Sequence, residues 1–209
     1  LEAFDTYHEK EAWTWERMAM TRARCVAGDA ALGKAAQAII TAALKAPRDA
    51  AKTKADIASM RALMLREHKP TELWDLKRMP GGQIEIEFIT QYLELIHAKT
   101  HAEILNANTA ASLNATTKTG LLSNAHSETL LKALGLYQRL TQILRLCIDG
   151  TFDPKSAPSH LLGALSLAAA QPDIGATEAF LAEMQGKGAG RFTKIVGGGK
   201  PKGKRRRPP

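Results

Sequence analysis

Apolar positions along the chain recur mostly at intervals of three and four residues, which lays them along one face of an α-helix. From Phe4 to about Ala27 the pattern predicts one long helix ended by Gly28, with Trp15, Met18, Ala19, Arg22 and Val26 in helical register. Asp29 is placed to cap a second helix that runs to about Ala46 and stops at Pro47. Asp49 caps a third, on which Ile57, Met60 and Met64 form an apolar stripe. Pro70, Pro80, Gly81 and Gly82 interrupt the pattern, so residues 67–82 read as a loop. Residues 84–96 are ambiguous: Ile84, Ile86 and Phe88 alternate with Glu85 and Glu87 as in a strand, whereas Phe88, Tyr92, Leu95 and Ile96 follow helical spacing. Helix is the expectation, because no second strand candidate exists to pair with it. A short helix follows Asn108, and a strong one runs from about Asn124 to Ile148. On the latter Leu130, Leu134, Tyr137, Leu140, Leu144, Cys147 and Ile148 share a broad apolar face, closed by Asp149-Gly150. Two weaker helices are expected near 158–170 and 176–185, and disorder after Gln185, where glycine and lysine dominate. The predicted fold class is all-α: a helical bundle over residues 1–186 with a disordered basic C-terminal tail over 187–209.

Composition agrees with that pattern. Alanine and leucine are abundant and valine is scarce, which favours helix over sheet. The longest apolar runs, such as Leu161–Ala170, are too short to span a bilayer, and the start of the chain lacks a signal-peptide pattern. A cytoplasmic protein is therefore expected. Because the chain opens at Leu1 and not at methionine, it is also expected to be a piece of a longer protein. The two cysteines, Cys25 and Cys147, stand in apolar helical contexts and read as buried reduced thiols.

The net charge of +8 changes meaning once it is located. Residues 187–209 hold nine basic residues and no acid; taking those nine from the 29 basic residues leaves 20 against 21 acids. The body is thus nearly neutral, and the Lys-Gly-Lys-Arg-Arg-Arg run offers only non-specific attraction to polyanions. No specific nucleic-acid partner is expected.

Two segments carry the functional reading. One is Glu11-Ala-Trp13-Thr-Trp15-Glu16, followed by Arg22-Ala-Arg24-Cys-Val-Ala-Gly28-Asp29. The other is Asp75-Leu-Lys77-Arg-Met-Pro-Gly81-Gly82-Gln-Ile-Glu85-Ile-Glu87-Phe88-Ile-Thr-Gln91-Tyr-Leu. Together they resemble the helical domain that follows each nucleotidyltransferase domain in glutamine-synthetase adenylyltransferase, a domain with a cognate in the PII uridylyltransferases. The resemblance runs from about residue 3 to 150, weakens to about 186, and leaves out the tail. It implies a parent enzyme that transfers AMP from ATP to a tyrosine of glutamine synthetase, with Mg2+ and ATP bound mainly by a preceding domain. The Ala-Trp-Thr-Trp-Glu string and Thr90-Gln91-Tyr92 look like the adenylylating half, although Glu85 stands where that half usually has aspartate. The partners it implies are glutamine synthetase and the PII signalling protein.

The family's metal-binding Gly-Ser…Asp-x-Asp motif is not found in this chain, and Glu85 and Glu87, at i and i+2 on a helix, point apart. The chain alone is thus expected to be inactive. The second motif leaves two readings. In the first, Lys77 reaches a phosphate, Asp75 orients Lys77, and Gly81 and Gly82 let the backbone come close, with free N–H groups of the following helix aimed at the anion. In the second, Asp75, Lys77, Glu85 and Glu87, with Arg22 and Arg24 as basic partners, form a salt-bridged seam around a glycine turn. Trp13, Trp15 and Trp74 read as core or interface anchors, and His97 with His101 as a surface pair without a third metal ligand.

Overall fold

The computed structural model describes residues 1–197. Among them are nine α-helices, one 3-10 turn (Ala102–Ile104) and no strand. No helix among the described residues is long and apolar enough to cross a membrane.

The first predicted helix is in fact two. Helix α1 spans Glu2–Lys10 and α2 spans Thr14–Met20. The break lies at Trp13, whose backbone is extended and whose N–H donates to the Glu16 carboxylate at 2.7 Å. That is the reach-back contact of a helix N-terminus, made by an acid three positions inside. Helix α2 then tightens into i→i−3 turns at Thr21, Arg22 and Ala23 and is followed by Gly28 at φ +109°. Val26, assigned to the helix by its spacing, is 79% exposed in this loop.

Helix α3 (Ala30–Lys45) starts on Asp29, which accepts from Leu32 N–H, and α4 (Ala50–His68) starts on Asp49, which accepts from Ala51 and Lys52. Helix α5 (Gln83–His97) is the central element, with ten of its residues from Ile84 to Leu95 buried. It packs against α2, α3 and α4 on one side. On the other it meets α6 (Thr109–Lys118), α7 (Asn124–Cys147) and α9 (Ile174–Ile195), while α8 (Ser159–Ala168) closes against α7 and α9. A helix surrounded in this way has buried positions all round, so its apolar residues are not confined to one stripe and its buried polar ones need partners. The core joins Ile57 of α4, Ile86 and Ile89 of α5, Leu113 of α6, Leu130 to Leu140 of α7, Leu165 of α8 and Leu181 of α9.

Two further expectations are corrected. Both cysteines are exposed: Cys25 lies in the loop after α2, and Cys147 ends α7 beyond the covered part of its face, next to Leu146 at 87% exposure. Helix α9 does not stop near Gln185 but continues to Ile195, with Gly188, Phe192 and Val196 buried. The expected disorder of 198–209 lies outside the described residues.

Candidate interdomain and nucleotide-contact site

The loop between α4 and α5 turns back on itself before entering α5, and two buried charges hold it. Arg61 projects from the buried face of α4 with its side chain only 3% exposed. Its Nε donates to Glu85 Oε1 at 2.8 Å, and its Nη2 donates to the carbonyls of Arg78 and Met79 at 2.7 and 3.2 Å. The other Glu85 oxygen accepts from Gly81 N–H at 2.8 Å. Tyr137 of α7 donates its hydroxyl to the Gly81 carbonyl at 3.1 Å. Burial, with the nearby Glu85 charge, raises the Tyr137 phenol well above its usual value, so it keeps the proton it donates. Three helices thus fix both peptide groups flanking Gly81.

The glycines are set by packing within the bundle. Gly81 has φ +76°, and a Cβ there would lie 1.8 Å from the Gln185 carbonyl oxygen of α9. Gly188 faces it from α9, where a Cβ would meet the Gly81 carbonyl oxygen at 2.6 Å. A Cβ on Gly82 would meet Leu76 O at 2.7 Å. Gln185 Nε2 also donates to Leu73 O, and Trp74 Nε1 donates to Glu178, so α9 clamps the loop along its length.

The expected free amides at the start of α5 are occupied. Gly82 N–H donates to Met79 O, Gln83 N–H to Leu76 O and Ile84 N–H to Lys77 O. With Gly81 N–H held by Glu85, the loop carbonyls and one carboxylate have taken the donors that an anion would use. Asp75 does not orient Lys77: its carboxylate accepts from Arg78 N–H at 3.0 Å and lies 3.6 Å from the Arg78 guanidinium. Lys77 is exposed, and its ammonium makes no hydrogen bond or ion pair among the described residues. Glu85 and Glu87 do diverge: Glu85 enters the core, while Glu87 accepts from Arg22 at 2.9 Å and from Gln83 at 3.0 Å at the surface. Arg24 joins neither acid; it lies in the loop after α2 and lines a shallow cleft with Cys25, Asp29 and Lys34. Trp74 is buried against Phe152, whereas Trp13 and Trp15 are half exposed.

Arg61, Tyr137 and Gln185 were missed by the sequence reading. For Arg61 there was a signal: it falls beside Met60 and one turn after Ile57, a charge set on an apolar stripe. A second buried acid, Glu94 of α5, was missed as well. Its Oε1 accepts from Asn106 N–H at 3.2 Å. Burial pushes its carboxyl up to about 7, against the smaller opposing effect of the Asn106 N–H. A carboxyl whose pKa rises on folding stabilises the fold fully below its unfolded value and less as pH climbs through the folded one. Stability is therefore expected to fall between about pH 4.5 and pH 7, by an amount on the order of 3 kcal/mol for this group. Glu94→Gln keeps the neutral shape and should flatten that slope in urea titrations repeated across the range. An equal slope in the variant would remove Glu94 as its source.

An all-α module whose central helix is locked by a buried Arg–Glu pair and a double-glycine turn matches two nucleotidyltransferase-related family models in succession. Residues 1–39 match glutamate-ammonia ligase adenylyltransferase, and residues 51–153 match the GlnD PII-uridylyltransferase. The chain is 41% identical over 198 residues to the bifunctional glutamine synthetase adenylyltransferase/adenylyl-removing enzyme of Rhodopseudomonas palustris (strain TIE-1), covering 95% of this chain and 20% of that protein. The protein of the same name in Bradyrhizobium sp. (strain BTAi1 / ATCC BAA-1182) is 41% identical over 94% of the chain, and that of Xanthobacter autotrophicus (strain ATCC BAA-1158 / Py2) is 39% identical over 94%. The chain is thus a relative of the glutamine-synthetase adenylyltransferases and spans about a fifth of their length.

Proposed function

We propose that this chain is the helical module of an enzyme that transfers AMP from ATP to a tyrosine of glutamine synthetase, with Mg2+ and ATP held by a nucleotidyltransferase domain that precedes it. The observation that carries this reading is the 41% identity over 95% of the chain to an enzyme of that description. Glu85 and Glu87 do not fit a metal site, since each is already engaged by an arginine and they lie on different faces of α5. The module's own contribution is a rigid platform. The Arg61–Glu85–Gly81 lock holds the 75–82 turn in one shape, and Lys77 stands on that turn as an exposed positive charge. A phosphate held above the turn by another domain can meet that charge, although the turn's own amides are occupied.

In the full-length enzyme Lys77→Ala is expected to lower AMP transfer about ten- to a hundred-fold, the value of one charge-assisted contact, with an unchanged melting temperature. An unchanged rate at saturating substrates, with an unchanged KM for ATP, would take Lys77 out of the site. The match of residues 51–153 to a PII-uridylyltransferase model supports a second reading, a regulatory module that docks PII protein or glutamine synthetase without touching nucleotide. Pull-downs with each partner, with and without ATP, separate the two: partner binding with full activity in Lys77→Ala favours the second.

A further inference from the structure

We propose that the aromatic face of α1 and of the α1–α2 turn is the seat of the nucleotidyltransferase domain of the full-length polypeptide; this rests on the reading above and names the surface through which the module would meet that domain. Half of the large apolar side chains that the bundle leaves exposed fall within the first fifteen residues: Leu1, Phe4, Tyr7, Trp13 and Trp15. Trp13 and Trp15 remain 46% and 49% exposed, although tryptophan is the side chain with most to gain from burial. Helix α1 is nine residues long, buries only His8 and packs on α3. A helix of that length is not stable in water through its own hydrogen bonds, and this one gives the core little, so cover over its exposed aromatic side chains would add to its stability.

The face is also held in shape. Tyr7 donates its hydroxyl to Glu16, whose other oxygen accepts from Trp13 N–H. The Phe4 and Tyr7 rings meet the His8 ring edge-on at 4.6 and 5.2 Å, and Arg17 donates to the His8 carbonyl, which ties α1 to α2. The Phe4 and Tyr7 rings, fixed before contact, lose little entropy on docking, as suits a permanent intramolecular interface.

Two observations choose the occupant. The adenylyltransferase family model stops within α3 and a uridylyltransferase model takes over at residue 51, so the helices that carry this face go with the adenylyltransferase part of the match. The relatives extend over about five times the length of this chain, so the surface that covers α1 has ample polypeptide to come from. The first seventeen residues carry Glu2, Asp5, Glu9, Glu11 and Glu16 against Lys10 and Arg17, an acidic balance that lysine or arginine on the docking domain would complement.

The test uses the full-length enzyme with a photo-crosslinking p-benzoylphenylalanine in place of Trp13 or Trp15, and crosslinked peptides are mapped by mass spectrometry. Crosslinks within the same polypeptide, to the nucleotidyltransferase domain, are expected. Crosslinks only to glutamine synthetase, to a second copy or to nothing would overturn the proposal. Independently, Trp13→Ser with Trp15→Ser should speed amide exchange over residues 1–20 at least tenfold and leave α5 and α7 unchanged; a change under twofold would also overturn it. The two levels fail separately: wild-type enzyme without AMP transfer removes the function proposed above, whereas active enzyme with crosslinks elsewhere removes only this interface.

Discussion

Arg61→Ala is expected to destabilise the bundle by about 3–5 kcal/mol, the cost of leaving one member of a buried ion pair without its partner. The side chains of Arg61 and Glu85 are 3% and 5% exposed, so neither charge can turn to water when the other is removed. The variant also leaves the carbonyls of Arg78 and Met79 without the guanidinium that binds them, and Glu85 with only the Gly81 N–H. The Arg22–Glu87 pair makes the contrast, at a similar distance but with Arg22 52% exposed. Arg22→Ala should cost less than about 1 kcal/mol, because solvent screens the pair and hydrates the remaining acid. Replacing both partners with apolar residues of similar volume, Arg61→Met with Glu85→Leu, should recover only the part of the loss due to a lone buried charge, since Gly81 N–H and the Arg78 carbonyl still lose their partners. Urea unfolding of the four proteins at neutral pH, read by midpoint at constant slope, gives the comparison. An Arg61→Ala loss no larger than that of Arg22→Ala would mean that the pair does not hold the turn.

What was readable in the sequence and what was not divide along the range of the interactions. Asp29, Asp49 and Asn108 cap helices through amides two or three residues away, so a local pattern reveals them. The break at Trp13 was hidden because tryptophan is not a usual capping residue; the local sign was Glu16, three positions on. At the site, Gly81, Gly82, Glu85, Glu87 and Arg22 were all picked out, and Arg22 does meet Glu87. Of the two readings the sequence leaves open, the salt-bridged seam around a glycine turn matches the observed pairs, with partners distant in sequence that the pattern does not name. The glycines suggest a cradle for a phosphate, but the atoms pressed against Gly81 belong to α9, about a hundred residues later, and those against Gly82 are the loop carbonyls of Leu76, Met79 and Lys77. Glu85 pairs with an arginine 24 residues before it, on a helix whose relation to α5 is fixed only by the fold. Helix α9 was cut short for the same reason. Gly186, Gly188 and Gly190 weigh against helix locally, but Gly188 is the residue that lets α9 lie on Gly81, and tertiary packing overrides the propensity.

Removing residues 187–209 is expected to lower stability by roughly 3–6 kcal/mol, although the sequence pattern marks the segment as a disordered basic tail. The deletion takes the last nine residues of α9, Lys187 to Ile195, and with them Phe192, 8% exposed, and Val196, fully buried. Each of these two side chains contributes about 1.5–3 kcal/mol by leaving water, which sets the range. It also removes Gly188 and opens the contact between α9 and the Gly81 turn, so the loss should extend to the candidate site itself. Phe192→Ala should reproduce most of the effect, about 3–5 kcal/mol, through the cavity it leaves. Lys187→Ala should not, because its ion pair with Glu183 lies between two half-exposed side chains on the helix surface. Amide exchange distinguishes a local from a global loss: protection of Gly81 and Gly82 should fall in the truncated chain before that of Leu130 and Leu134 in α7. If the truncated chain melts at the temperature of the intact one, the C-terminal turns of α9 carry none of the packing assigned to them.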